Sequence, residues 1–198
     1  ITNGEKFDHL LRVYQPYIVY HAAAYKHVPL MERDPLEAVQ NNFLGTKTIS
    51  DCCVRREIPK FVFISTDKAV NPSSVMGTTK RMTEKLLQTY GQTPTKFISV
   101  RFGNVIGSSG SVIPLFKKQI AEGGPVTVTH PEATRFLMTI PEAVHLVLLA
   151  GAMGEGGEIF LLDMGEPANI AELAKSLIEL SGLTPYKDIA IVYIGLRE

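Results

Sequence analysis

Residues 61–87 read FVFISTDKAVNPSSVMGTTKRMTEKLL, and the reading of the whole chain turns on them. The apolar run 61–64 is that of a buried strand. Ser65, Thr66, Asp67 and Lys68 follow as a polar loop, and Asn71-Pro72 opens a helix, with Asn as N-cap and Pro at the first helical position. On that helix Met76 and Lys80 are one turn apart and share a face. A strand that delivers four chemically capable side chains toward a Lys-bearing helix is a candidate site. The plainer reading is a polar loop beside a solvated lysine.

Upstream, residues 5–14 carry Phe7, Leu10, Leu11 and Tyr14 at helical spacing, and Pro16 ends that helix. Residues 17–24, YIVYHAAA, are apolar without alternation, as in a strand buried on both faces of a parallel sheet. Ala22, Ala23 and Ala24 at its carboxyl end leave the backbone open to a flat ligand, or pack tightly under a neighbouring helix. Tyr25, Lys26 and His27 stand at the strand exit. Asp34-Pro35 starts a long helix to about Arg56, with Ala38, Val39, Phe43, Leu44 and Ile49 on its inner side. Gly45 costs that helix about 1 kcal/mol relative to Ala, which close packing or ligand approach would explain. Asn41 and Asn42 are poor mid-helix residues, and one of them is suited to hydrogen-bond a broken backbone nearby.

Downstream, a strand over 96–102 leads to Gly103-Asn104. Strand and helix therefore alternate with crossover-length connections, which predicts an α/β fold with a doubly wound, Rossmann-like parallel sheet. Ligands of such sheets bind outside the carboxyl ends of the strands, here 22–26, 65–68 and 103–107. The Gly/Ser loop 107–111 before a helix over 112–122 is an anion site, a hinge, or both. Gly123-Gly124-Pro125 breaks that helix, and 126–129 alternates like an exposed or edge strand. Arg135 is a lone charge in the apolar run RFLMTI, calling for a phosphate or carboxylate partner. A helix over 141–151, a strand over 158–163, a helix over 170–180 and a strand over 188–193 complete the chain. The expected division is a partial dinucleotide-binding domain over 1–106, rejoined by a strand at 158–165. Residues 107–198 are then mostly a small substrate-binding subdomain.

Twenty Lys plus Arg balance twenty Asp plus Glu, which argues against nucleic acid or an anionic membrane as the main partner. Adjacent Cys52 and Cys53, the only two cysteines, read as reduced thiols of a cytoplasmic protein, and no Cys/His metal spacing is present. The apolar stretch 143–153 is too short to span a bilayer, and the first ten residues carry charge where a signal peptide would be apolar. With no initiator Met and an abrupt Gly-Leu-Arg-Glu end, the chain reads as a piece of a longer protein.

The segments HAAAYKHVPLME, ISTDKAVNP followed by VMGTTKR, RFGNVIGSSGSVIPLF, VTVTHPEATRF and GLRE together closely resemble the extended short-chain dehydrogenase/reductases. Among these, the resemblance is to the polysaccharide-biosynthesis UDP-N-acetylglucosamine 4,6-dehydratases. It covers essentially the whole chain. The first βαβ unit with its Gly-rich dinucleotide loop, which such proteins carry, is absent. Where most of the superfamily places an acid/base Tyr four residues before the Lys, this chain has Met76, whose thioether exchanges no proton. One branch of the dehydratases shares that Met.

The resemblance implies a hydro-lyase that moves hydride from sugar C4 to a nicotinamide, loses water across C5 and C6, and returns hydride to C6. It implies NAD or NADP, with NAD favoured, a UDP-sugar substrate, and a homo-oligomeric full-length form whose membrane anchor, if present, lies outside this chain. Thr66, Asp67, Lys68, Met76 and Lys80 are the catalytic positions, Asp67 as acid toward O6 and Lys68 as base at C5. With Met76 silent, O4 is deprotonated by the Thr66/Asp67 pair or by a water held by Ser65. Ala22, Ala23, Ala24, Tyr25, Asn42, Ser65, Lys80, Phe102 and Gly103 face the cofactor. Lys68, Asn104, Val112, Thr127, Arg135 and Arg197 face the substrate, the two arginines at the diphosphate. A 4-epimerase or reductase on the same fold is the alternative, and a truncated non-catalytic module is another. Product mass separates the first two, and cofactor titration tests the third.

Overall fold

The computed structural model of the chain describes residues 1–108 and 110–195. In chain order the elements begin with α1 (Gly4–Tyr14), β1 (Ile18–His21), α2 (Val28–Arg33) and α3 (Pro35–Ala38). A π-helical segment (Val39–Gly45) runs directly into α4 (Thr46–Arg55). Then come β2 (Lys60–Ile64), a 3₁₀ turn (Asp67–Ala69), α5 (Val75–Gln88), β3 (Lys96–Arg101), β4 (Asn104–Val105) and α6 (Val112–Ala121). The remainder is β5 (Val126–Val128), β6 (Thr134–Arg135), β7 (Leu137–Met138), α7 (Ile140–Met153), β8 (Ile159–Leu161), β9 (Ala168–Asn169), α8 (Ile170–Leu180) and β10 (Ile191–Tyr193). Two compact units result, one of 1–102 with 144–162, the other of 103–143 with 163–198.

The first unit is built on a four-stranded, all-parallel sheet in the order β1-β2-β3-β8. Its strands are apolar without alternation because helices cover both faces. On one face Phe61, Phe63 and Phe97 pack with Leu11 of α1, Ile49, Cys52 and Cys53 of α4, and Leu87 of α5. Fully burying each Phe contributes about 2–3 kcal/mol. On the other face, Val62, Ile98 and Val100 are fully buried. There the Lys60 ammonium donates to the carbonyls of Gly151 (2.9 Å) and Ala152 (3.0 Å), so a cation caps the last turn of α7. Burial pushes the Cys53 thiol up to about 12, so it is an inert core residue.

Several expectations give way here. The helix after 71–72 begins later, at Val75. Asn71 instead takes a left-handed turn (φ 47°), and the Ser74 hydroxyl caps α5 by accepting from Gly77 N–H at 3.2 Å. The long helix expected from Asp34 to Arg56 is divided by the π segment, whose wider turn changes which residues face inward. Leu44 is thereby 47% exposed. A further short helix, α2, precedes it.

The second unit pairs β5 with β10 in parallel and packs α6 and α8 on them, around Phe116, Val126, Val128, Ala174 and Ile178. The 126–129 segment, expected to be an exposed or edge strand, is an edge strand of this two-stranded sheet, but its Val126 and Val128 are buried in the core. Short ladders join β4 to β7 and β6 to β9. No helix among the described residues is long and apolar enough to cross a membrane.

Candidate active site

The site is assembled at the carboxyl ends of β1, β2 and β3 in the first unit. The amides of Ser65 and Asp67 donate to the carbonyls of Val100 (2.8 Å) and Phe102 (3.0 Å), so the loop continues the β2–β3 ladder past the strand end. Thr66 then caps the 3₁₀ turn. Its hydroxyl accepts from Lys68 N–H at 3.3 Å and donates to the Asp67 carboxylate at 2.9 Å. The Lys68 ammonium reaches the same Asp67 oxygen at 3.0 Å. Hydroxyl, carboxylate and ammonium thus converge on one oxygen, with the Asp67 and Lys68 side chains each a little over one-third exposed.

One face of α5 holds this loop from beneath. Gly77, Lys80 and Glu84 lie at helical spacing on that face. Gly77 lets the helix approach closely, since a Cβ there would lie 2.4 Å from the Lys68 carbonyl oxygen and 3.1 Å from Pro72 Cβ. Gly77→Ala is therefore expected to destabilise the protein by about 1–3 kcal/mol through overpacking, despite Ala's helix propensity. A displacement of about 1 Å at Lys68 would also cost on the order of 10²-fold in turnover. Urea unfolding and turnover of the one variant read both effects, and a stabilised, fully active protein would contradict the assignment.

Lys80 is 7% exposed. Its ammonium donates to the Ile64 carbonyl at 2.7 Å and lies 4.5 Å from the Phe63 ring centroid. Burial pushes it down to about 8, with Glu84 opposing. Met76, one turn earlier, is buried against Met31 and Ala38, in an apolar cluster that offers no proton chemistry. Ser65, at 5% exposure, gives its hydroxyl hydrogen to Glu84 at 2.5 Å, leaving it engaged with protein.

Behind the β1 exit, Asn42 is 1% exposed and does what one of the two asparagines was expected to do. Its carbonyl oxygen accepts from Tyr25 N–H (2.7 Å) and its amide donates to the Tyr25 carbonyl (3.0 Å), fixing the segment that presents exposed Ala22 and Ala23. Thr46 donates to the Asn42 main-chain carbonyl at 2.6 Å, so the buried His21 Nε2, 2.9 Å away, is the donor to Thr46 Oγ1. Burial, then the Lys80 charge, push His21 down to about 3. Below about pH 6.5 the unfolded chain takes up a proton that the folded one refuses, so stability falls as pH falls toward 3. The loss is expected to be about 3 kcal/mol between about pH 7 and pH 4.5. His21→Gln should flatten that limb in urea titrations, and an unchanged limb would refute it.

Most of the remaining expected residues lie in the second unit. Asn104 is half-buried on β4, after Gly103. Val112 is the first residue of α6, behind the loop in which Gly107 and Gly110 have positive φ (76° and 68°). Thr127 is clasped by Gln119, which accepts from its N–H (3.0 Å) and donates to its hydroxyl (2.8 Å). Arg135 is exposed, with its guanidinium on the Thr134 carbonyl at 2.7 Å, so the argument that burial demands a charged partner does not apply. Arg197 lies outside the described residues. Phe102 belongs to the first unit, where its carbonyl holds Asp67.

Glu84, Arg101, His21 and Gly77 were not anticipated. Glu84 had one local signal, its place one turn after Lys80. Among the described residues no group of three or more His, Cys, Asp or Glu is arranged to hold a metal.

Capsular polysaccharide biosynthesis protein CapD of Staphylococcus aureus is 57% identical over 199 residues, covering 100% of this chain and 33% of its own length. The chain thus spans about a third of that relative. A UDP-glucose 4-epimerase of Rickettsia akari is 43% identical over 92% of the chain and 54% of its own length. The X-ray structure of Pen from Bacillus thuringiensis superposes with a TM-score of 0.90 at 37% identity, over 98% of this chain and 61% of that one. A family model described as polysaccharide biosynthesis protein matches residues 1–198. The chain belongs to that polysaccharide biosynthesis family, built on the short-chain dehydrogenase/reductase fold.

Proposed function

We propose that the protein containing this chain is a UDP-N-acetylglucosamine 4,6-dehydratase serving surface polysaccharide synthesis, with a nicotinamide dinucleotide, NAD favoured over NADP. The observation that carries this reading is the Thr66–Asp67–Lys68 cluster, one carboxylate contacted by a hydroxyl at 2.9 Å and an ammonium at 3.0 Å. Oxidation or epimerisation at C4 needs no group to expel the C6 hydroxyl, whereas elimination needs an acid and a base. A bound nicotinamide would supply the hydride acceptor for C4 and the hydride donor for C6. The exposed Ala22 and Ala23 and the buried Lys80 fit such a flat ligand at the strand ends.

The cluster accounts for both protons that the reaction moves. The O4 proton passes through the Thr66 hydroxyl to Asp67, which delivers it to O6 as water leaves. Lys68 acts in its neutral amine form, its proton having passed to solvent, and takes the proton from C5. When water departs, Asp67 is again a carboxylate and Lys68 is again its cation. Lys68 returns its proton to C5 as hydride reaches C6, and solvent restores it. Asn104, Val112, Thr127, Arg135 and Arg197 bind the UDP-sugar in this reading. The full-length protein is a homo-oligomer with its catalytic domain in the cytoplasm, any membrane anchor lying outside this chain.

A 4-epimerase is the second reading, favoured by the 43% identical relative of that name. Incubating the full-length protein with UDP-N-acetylglucosamine distinguishes them. A product lighter by one water, with a methyl at C5 by NMR, supports the dehydratase. An isomer of unchanged mass overturns it.

A further inference from the structure

Glu84 is fully buried, and both its oxygens are saturated with donors. Oε1 accepts from the Ser65 hydroxyl (2.5 Å) and Arg101 Nε (2.8 Å), and Oε2 from Arg101 Nη2 (2.5 Å) and Arg81 Nη1 (3.3 Å). Burial alone would raise its proton affinity, but the bonds from Arg101 and Ser65 hold it below the usual carboxylate range. Replacing a buried ion pair by apolar residues is often neutral or stabilising, so stability alone is a weak reason for this one. Its position supplies a better reason. Arg101 sits between Val100 and Phe102, whose carbonyls hold the amides of Ser65 and Asp67. The same three residues, 100–102 at the end of β3, therefore grip the loop twice by backbone and once by side chain, with Glu84 as the bridge to Ser65.

We infer that Glu84 is a positioning residue: its bond to Ser65 sets the height of the Thr66–Asp67–Lys68 loop against the sheet end, while Arg101 neutralises its buried charge. The inference rests on the assignment of that loop as the reactive centre. It does not depend on which sugar reaction the loop performs.

The test uses three full-length proteins: wild type, Glu84→Gln/Arg101→Met and Glu84→Leu/Arg101→Met. Both doubles avoid an unpaired buried arginine, and only the first keeps an acceptor for Ser65. The Gln/Met protein should keep kcat within a few-fold of wild type. The Leu/Met protein should fold with comparable stability yet lose about 10- to 100-fold in kcat, with KM for the UDP-sugar nearly unchanged. Hydrogen exchange at the Asp67 amide should quicken in the Leu/Met protein alone, while β2 amides keep their protection. Equal kcat and equal Asp67 exchange in the two doubles would overturn the inference. So would a Leu/Met protein that simply unfolds while Gln/Met does not, since Glu84 would then be structural. Wild-type product mass separately decides the reaction, so a failed dehydratase reading leaves the kcat ratio and the exchange readout interpretable.

Discussion

Lys68→Ala in the full-length protein is expected to lower formation of the 4-keto-6-deoxy product by about 10²- to 10⁴-fold, the contribution of a placed general base. The loss should fall on elimination, because nothing in the first oxidation uses Lys68. In single turnovers the reduced-cofactor absorbance should therefore rise at close to the wild-type rate and then persist. Stability should change by less than about 1 kcal/mol, since the Lys68–Asp67 pair is more than one-third exposed and screened by solvent. A fold difference could then not account for the result. Wild-type elimination in this variant would exclude Lys68 as the C5 base and return the proton bookkeeping to Asp67 or to water.

Lys80→Met should abolish most activity, by about 10²-fold or more, while leaving stability at neutral pH close to that of wild type. Two effects oppose. The buried ammonium titrates near 8 instead of 10.5, so keeping it charged at neutral pH costs about 3 kcal/mol. Its charged hydrogen bond to the Ile64 carbonyl returns about 1.5–3 kcal/mol, and that bond is lost on substitution. The decisive measurement is the pH dependence of stability. Between about pH 8 and 10.5 the unfolded chain holds the Lys80 proton and the folded chain does not, so wild-type stability rises with pH across that window. In Lys80→Met the rise should vanish. A slope that survives would mean the folded ammonium titrates normally.

Much of the scaffold was legible because its signals are local. The run 61–64 is apolar without alternation, and it became a strand covered on both faces. Residues 170–180 show clean helical spacing, and α8 has those bounds. The failures were those of contacts distant in sequence. Nothing near Asn71 reveals that the chain turns once more before Ser74 can cap α5. Arg135 looked stranded in an apolar run, but a two-residue strand, β6, leaves it facing solvent. Glu84 and Arg101 are 17 residues apart and belong to different elements, so their pairing exists only once α5 lies on β3. At the site itself, the loop residues and Lys80 were visible as types at a spacing. Their shared oxygen and the glycine beneath Lys68 emerge only in the folded chain.

The π segment between α3 and α4 gives the chain one residue that a regular helix would not need. Deleting a residue within 39–45 would convert it to an ordinary α-helix, and the turns on either side would keep their faces because the wide turn is what takes up the extra residue. What would be lost is the local bulge that sets the Asn42 side chain against the Tyr25 backbone. The extra residue thus serves the neighbouring strand's exit, and its deletion should loosen residues 22–25 while leaving the core packing of α4 in place.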